Sequence, residues 1–465
     1  MSTKEITRLG KFIQSPYFNN SELILHLFNA IKRQHPRYAG KSIEKEKLFQ
    51  KLFPNEGFNY KKITDLYSDL VKLIEKFLTI EMLDQNEPVV NGLRLKVYEE
   101  RHLERSFRKQ FDQAQKHFKE KVNKTAFDYG DMTAVAFDYY FHPTTERLSE
   151  KEKSVQSAMG YLDRYFILMK MRLGMELYSR QEIIPEKNEI WQLNEVLKNT
   201  ELLKNENKLF VLYPKIIQFL KGSYSEKEFE TLNRFIQTNK SDVPLSELRP
   251  IMIAMANKAW QIYTQGKKKY INYLFEIYKT GLKYNGVFFQ NGKIRETTFN
   301  NIVVTACIIK EFHWAKLFIK KNQSYLIPNE KDRTVLYSNA IISFHEKKFE
   351  KTLLLLNKEQ KTKGILELRN RFLRTRTIFE IFFQDHSYET TVHSELLSFT
   401  KYVKKIKYLT EEKKALYLET TVWMRKLKNQ KFKKINKQKK EEWKKKINES
   451  RLLAKEWLLE KIDQL

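Results

Sequence analysis

Lys310-Glu311-Phe312-His313-Trp314 is a short polar turn between two apolar helical runs, and it has two counterparts. Tyr263-Thr264-Gln265-Gly266-Lys267 precedes it and His345-Glu346-Lys347-Lys348-Phe349 follows, at intervals of roughly 36 to 44 residues, a period that suits helical repeats. In the last unit Ala340 stands where a small residue lets paired helices approach. Phe349 opens the second helix, and Leu353 and Leu356 continue its core face. Each helical pair alone leaves an apolar face bare, so stacking is required for stability. Trp314 is expected at the start of a second helix, facing its neighbours.

Helical spacing fills the whole chain. Only 13 of 465 residues are glycine and 10 are proline, against usual shares of about 7% and 5%. The fold class is therefore all-α: an N-terminal helical bundle followed by a tetratricopeptide-like repeat array, an α-solenoid. Four segments are expected: a bundle over residues 1–85, long helices over 86–249, repeats over 250–408 and a basic C-terminal helix over 409–465.

In the first segment Ser2 and Glu5 have capping-box spacing, Ser15-Pro16-Tyr17-Phe18-Asn19-Asn20 interrupts the first helix, and Ser21 can cap the next. A short helix ends at Leu52-Phe53-Pro54. A long one carries Ile63, Leu66, Leu70, Leu73, Ile74, Phe77 and Leu78 at i, i+3, i+4 spacing. A helix-turn-helix DNA reader would need more basic residues than Lys61 and Lys62 in that helix's first turn. In the second segment Lys124, His142-Pro143, Pro185 and Gly222 mark breaks. Ser149 with Glu152 and Ser225 with Glu228 repeat the capping-box spacing, and Pro244 and Pro250 mark the boundary before the repeats.

The stretches Ser15-Pro16-Tyr17-Phe18-Asn19, Ile309-Lys310-Glu311-Phe312-His313-Trp314-Ala315 and Glu456-Trp457-Leu458-Leu459-Glu460-Lys461 resemble those of a bacterial family of long, tetratricopeptide-like, all-helical proteins of unassigned function. The resemblance implies an α-helical array and brings no activity or site with it. The tetratricopeptide pattern is degenerate, with Thr352 at the small position early in the second helix of the last unit.

Several chemistries lack their residues. A phosphate loop needs closely spaced glycines before a helix, whereas Gly281, Gly286 and Gly292 are dispersed and the Asn-Gly pairs read as helix stops and turns. Asp138 with His142 and Glu99 with His102 have metal-ligand spacing but no second cluster to complete a site, and His386 and His393 are too isolated for a general base. The single cysteine, Cys307, excludes an internal disulfide and reads as a buried thiol in the apolar run Ile302 to Ile309. No catalytic, metal or cofactor-binding residue is assigned. With no secretory signal at Met1-Ser2-Thr3-Lys4-Glu5-Ile6-Thr7 and no stretch of about 20 apolar residues, the expected location is the cytoplasm.

Charge gives the one concentrated feature. Lysine and arginine number 86 against 57 acidic residues, a formal +29, a field that attracts phosphates, anionic lipid or acidic proteins. Between Arg425 and Lys446 the balance is 12 basic to 2 acidic residues. Arg425, Lys426, Lys428, Lys431, Lys433, Lys434, Lys437, Lys439 and Lys440 are the candidate binding residues. Trp423, Phe432 and Trp443 interleave with them, a composition used for single-stranded nucleic acid and for peripheral membrane helices. The same residues also fit a solvated helix whose apolar side runs through Trp443, Ile447, Ala454 and Leu458. The leading expectation is a non-enzymatic scaffold or adaptor that binds a protein partner. The alternative is a nucleic-acid-associated protein that holds a phosphate backbone through the basic C-terminal helix.

Overall fold

The computed structural model describes residues 1–465 except 37, 39–42, 144, 182–188, 223–224, 285, 359–363 and 451. Pro185, expected as a break, lies outside the described residues. The fold is all-α, with twenty-two α-helices and a single two-residue β-hairpin among the described residues. It divides into two compact units, residues 1–122 with 126–165 and residues 123–125 with 166–465. The division falls inside the 86–249 segment, within helix α8 (Ser154–Gln181).

The first unit contains α1 (Thr3–Gln14), α2 (Glu22–Lys32), α3 (Lys45–Leu52), α4 (Tyr60–Asp84), α5 (Glu87–Glu100), α6 (Glu104–Glu120) and α7 (Ala126–Phe141). The Ser2–Glu5 capping box forms, and Ser21 caps α2 through Ile24 N–H at 3.4 Å. Leu9, Ile13, Leu27, Leu48, Phe49 and Ile63 bring the apolar sides of α1 to α4 into one core. Leu78, expected on that face, is exposed, whereas the adjacent Phe77 is buried in the core. Ser149 and Glu152 do not cap a helix. Helix α8 starts five residues later, where the Glu152 carboxylate accepts from Ser154 N–H.

The second unit continues with α9 (Leu193–Leu203), α10 (Leu209–Leu220), α11 (Glu226–Thr238), α12 (Leu245–Thr264) and α13 (Tyr270–Lys283). The Ser225–Glu228 capping box opens α11 as expected. Pro250, expected at a boundary, lies inside α12, and Pro244 is that helix's N-cap. A proline in the second turn forfeits one backbone hydrogen bond, which the buried side of α12 from Leu248 to Ala259 outweighs. Next come a hairpin of β1 (Phe289–Gln290) and β2 (Lys293–Ile294), then α14 (Glu296–Ile308), α15 (Phe312–Asn322), α16 (Pro328–His345) and α17 (Phe349–Asn357). The Asn291-Gly292 pair makes the β-turn, both residues with positive φ, the geometry that two-residue hairpins require.

The three expected turns join α12 to α13, α14 to α15 and α16 to α17, and they share one geometry. Gly266, Lys310 and Lys347 take positive φ of 105°, 66° and 62°. The following amide reaches back across the helix end: Lys267 to Ile262 O at 3.3 Å, Glu311 to Ala306 O at 2.9 Å and Lys348 to Ser343 O at 2.8 Å. These left-handed caps satisfy carbonyls that a helix end leaves open. Counted from each cap, the residue seven before is Ala259, Val303 or Ala340, all with no exposed surface; the residue five after is Ile271, Ala315 or Thr352, all buried. The first unit uses the same device between α5 and α6: His102 has φ 56°, Leu103 N–H reaches Tyr98 O at 2.8 Å, and Leu95 and Phe107 are buried at the matching places. Successive pairs pack through α13 on α14 and α14 on α16, consistent with a helical repeat array.

The chain ends in α18 (Ile365–Gln384), α19 (Glu389–Lys405), α20 (Glu411–Gln430), α21 (Lys437–Glu449) and α22 (Lys455–Asp463). Where one basic terminal helix was expected over 409–465, the structure has three. Asn436 caps the second through Lys439 N–H at 2.8 Å.

Candidate functional site

The nine candidate basic residues do not act as a set. Arg425 turns inward and donates to Thr400 Oγ1 at 2.6 Å and toward Leu396 O at 3.4 Å, tying α20 to α19. Lys428 pairs with Glu389 at 3.0 Å, its side chain nearly buried. Lys431 donates to Gln464 O at 3.2 Å above the Phe383 ring, and its pKa is lowered by burial and then by the Lys461 charge. These three hold helices together. Lys426, Lys433, Lys434, Lys437 and Lys439 are exposed, and Lys440 is half-buried. Lys426 lies over Trp423 and Lys439 over Trp443, with Lys439 also donating to Gln430 at 3.3 Å.

The aromatics interleaved with these lysines are engaged within the fold. Trp423 is buried and meets Trp443 edge-on at 5.9 Å, while Phe432, although half exposed, packs on Phe382 and His386. Stacked bases would need free ring faces, so any binding here depends on the ammonium groups. Ile447 is buried and Trp443 faces Trp423, which turns the apolar side of α21 toward the protein rather than toward a bilayer.

The weaker candidates resolve into structural roles. His142 is buried and stacks on Phe107 at 3.9 Å, and Asp138 has its pKa raised by desolvation. His102 is the positive-φ cap residue of the α5–α6 turn. His386 lies 3.5 Å from Glu389, and His393 is exposed. The Cys307 thiol is pushed up to about 12 by burial, which leaves it protonated and unreactive. At Gly281 a Cβ would fall 2.2 Å from the Phe288 ring, and Gly286 has φ 109°, so both glycines answer to packing and turn geometry. Among the described residues no group of three or more metal-ligating side chains converges. No helix among them is long and apolar enough to cross a membrane.

An open cleft of about 450 Å³ lies between α18 and α19, lined by Arg374, Thr390, Thr391, Ser394, Glu395 and Ser398 among others. Its charged groups are already engaged. Arg374 lies 3.7 Å from Glu395 and donates to Asn357 at 2.6 Å, and Thr375 donates to Glu395 at 3.0 Å.

Residues that the sequence reading passed over stand out at the end of the chain. Glu380, buried in α18, accepts from Lys461 Nζ at 2.6 Å and from Trp457 Nε1. Arg376, one turn earlier, has its guanidinium 4.6 Å from the centres of both the Phe344 and Trp457 rings. Burial lowers its pKa to about 10. The available signal was the lone carboxylate within Ile378-Phe379-Glu380-Ile381-Phe382-Phe383, an apolar run that admits a charge only where a partner meets it.

Comparison of the chain with protein-family models, curated proteins and solved structures finds no match.

Proposed function

We propose that this chain is a non-enzymatic cytoplasmic scaffold whose helical pairs α12 to α17 bind a protein partner. The observation that carries the reading is a repeated exposed position. Seven residues after the left-handed cap, Leu317 of α15 and Leu354 of α17 are 51% and 55% exposed at the same register. The matching Tyr273 of α13 is engaged with Glu230 of α11, so the apolar row is open on two successive pairs. Stacked helical pairs suit extended peptides and partner helices because equivalent positions recur along one surface.

Capture from native lysate by the parent chain and by a Leu317→Lys/Leu354→Lys variant, each with and without nuclease, tests this. A partner that survives nuclease and is lost with the variant supports the scaffold. Identical capture by the two proteins refutes the role of this row.

A second reading, binding of a nucleic-acid phosphate backbone, is favoured by the exposed Lys433, Lys434 and Lys437, whose ammonium groups have no carboxylate within ion-pair distance among the described residues. Its signature is affinity that falls steeply with salt, with a slope set by the phosphates neutralised. Glutamine at Lys433, Lys434, Lys439 and Lys440 should flatten a gel-shift salt titration. Indistinguishable curves for parent and variant would remove nucleic acid from this surface.

A further inference from the structure

Helix α22 is nine residues long, short enough to be unstable alone in water. Its order therefore comes from what it rests on. Two faces of the helix do different work. Glu456 and Glu460, one turn apart, reach outward to the caps of two different helical pairs: Glu456 to Lys268 at 2.7 Å beside the first cap, and Glu460 to Lys347 at 3.8 Å in the third. Trp457 and Lys461, also one turn apart, point inward to the same carboxylate on α18, while Leu458 and Ile462 are buried beside them.

A buried ion pair is stabilised little, relative to well-packed apolar residues, because desolvation opposes the attraction. Two further observations show that the seat and the helix are imperfectly matched. Arg376 Nε is buried and has no hydrogen-bond acceptor, a donor in the seat that α22 leaves unsatisfied. The helix is also entered through Ala454 at φ 52° with no side-chain cap, and the left-handed conformation costs a residue with a Cβ about 1 kcal/mol or more.

We propose that the seat formed by Phe344, Arg376, Glu380, Phe379, whose ring meets Trp457 edge-on at 5.5 Å, and Phe383, whose ring lies 5.3 Å beneath Lys461 Nζ, is a binding site for an amphipathic helix bearing a tryptophan and, one turn later, a lysine. In this chain α22 is its intramolecular occupant. A partner helix of that pattern, with a carboxylate able to reach Arg376, displaces α22 and frees the cap lysines Lys268 and Lys347. The site is separate from the Leu317–Leu354 row, and its test needs no scaffold partner.

The test uses the full chain carrying a protease recognition sequence inserted after Ser450, so that α22 can be cut free of its tether while the rest of the protein is intact. The probe is a fluorescein-labelled peptide of residues 452–465, read by polarisation. A tethered segment competes at an effective concentration in the millimolar range. Cutting should therefore improve apparent peptide affinity at least about tenfold, as the released segment exchanges with the probe. A peptide with Lys461→Met should bind the cut protein about tenfold or more weakly, because Glu380 then loses the ammonium that donates to it. Equal binding before and after cutting would overturn the proposal. So would a loss of circular-dichroism helix larger than α22 itself, which would make this helix part of the core, and so would Lys461→Met binding as well as the parent peptide.

Discussion

The helical pairs α12 to α17 and the closing helices α18 to α22 belong to one compact unit but differ in that, among the described residues, only the closing helices bury a charged pair at their centre. In the pairs, Ala259, Val303 and Ala340 are fully buried, a neutral hydrogen bond from Ser338 to Asn300 at 2.8 Å joins α16 to α14, and the turns are closed by backbone hydrogen bonds. At the closure, Glu380 and Lys461 meet inside the protein within 2.6 Å. Apolar burial of the first kind accepts any residue of suitable volume. A buried charge accepts only its counter-charge.

The largest expected effect follows from that contrast. Lys461→Ala leaves Glu380 buried without its cation and should destabilise the second unit by about 3–5 kcal/mol. The double replacement Glu380→Leu with Lys461→Met removes both charges and should restore most of that loss. Urea unfolding of the two single variants and the double variant measures the coupling. Additive losses would show that the pair is not coupled, and the contrast between the two regions would fail.

Trp314→Ala probes the other side of the comparison. A fully buried tryptophan would cost about 3–5 kcal/mol, the value that its place in the turn led one to expect. Trp314 is half-buried, edge-on to Phe275 at 4.8 Å and stacked on Phe318 at 5.5 Å. With one side facing solvent, the expected loss is about 2 kcal/mol, read as a lowered midpoint in thermal unfolding. An unchanged midpoint would mean that the aromatic contact between α13 and α15 contributes nothing.

The same contrast separates what was legible in the sequence from what was not. The cap turns at Gly266, Lys310 and Lys347 could be placed because the apolar spacing changes phase there, and Ser2, Ser21 and Ser225 could be placed as caps because the reason for their residue type is local. Pro250 misled because a local preference was overridden by burial of the helix around it. Ser149 with Glu152 misled because the spacing of a capping box does not say that a helix follows. The candidate binding residues were found as a run of charge, and a run does not reveal direction: Arg425, Lys428 and Lys431 turn into the protein, while Lys433, Lys434 and Lys437 face water. Glu380 finds Lys461 across 81 residues of chain, a separation at which no spacing rule operates.

The smallest expected effect lies in the caps themselves. Lysine in the left-handed region is strained by its Cβ by about 1 kcal/mol or more, and glycine removes that strain while adding freedom to the unfolded chain, which costs somewhat less. Lys310→Gly should therefore stabilise the second unit by about 0.5 kcal/mol, and Gly266→Ala should destabilise it by about 1 kcal/mol. Lys347→Gly relieves the same strain but also removes the ion pair to Glu460 of α22, whose lysine is 73% exposed and 3.8 Å away. Exposed pairs of that kind contribute between zero and about 1 kcal/mol. The difference between Lys310→Gly and Lys347→Gly in matched urea titrations thus isolates what the cap contributes to holding α22. A Lys347→Gly protein as stable as the Lys310→Gly protein shows that the third cap contributes nothing to that hold; one that is measurably less stable shows that this turn helps to keep the terminal helix in place.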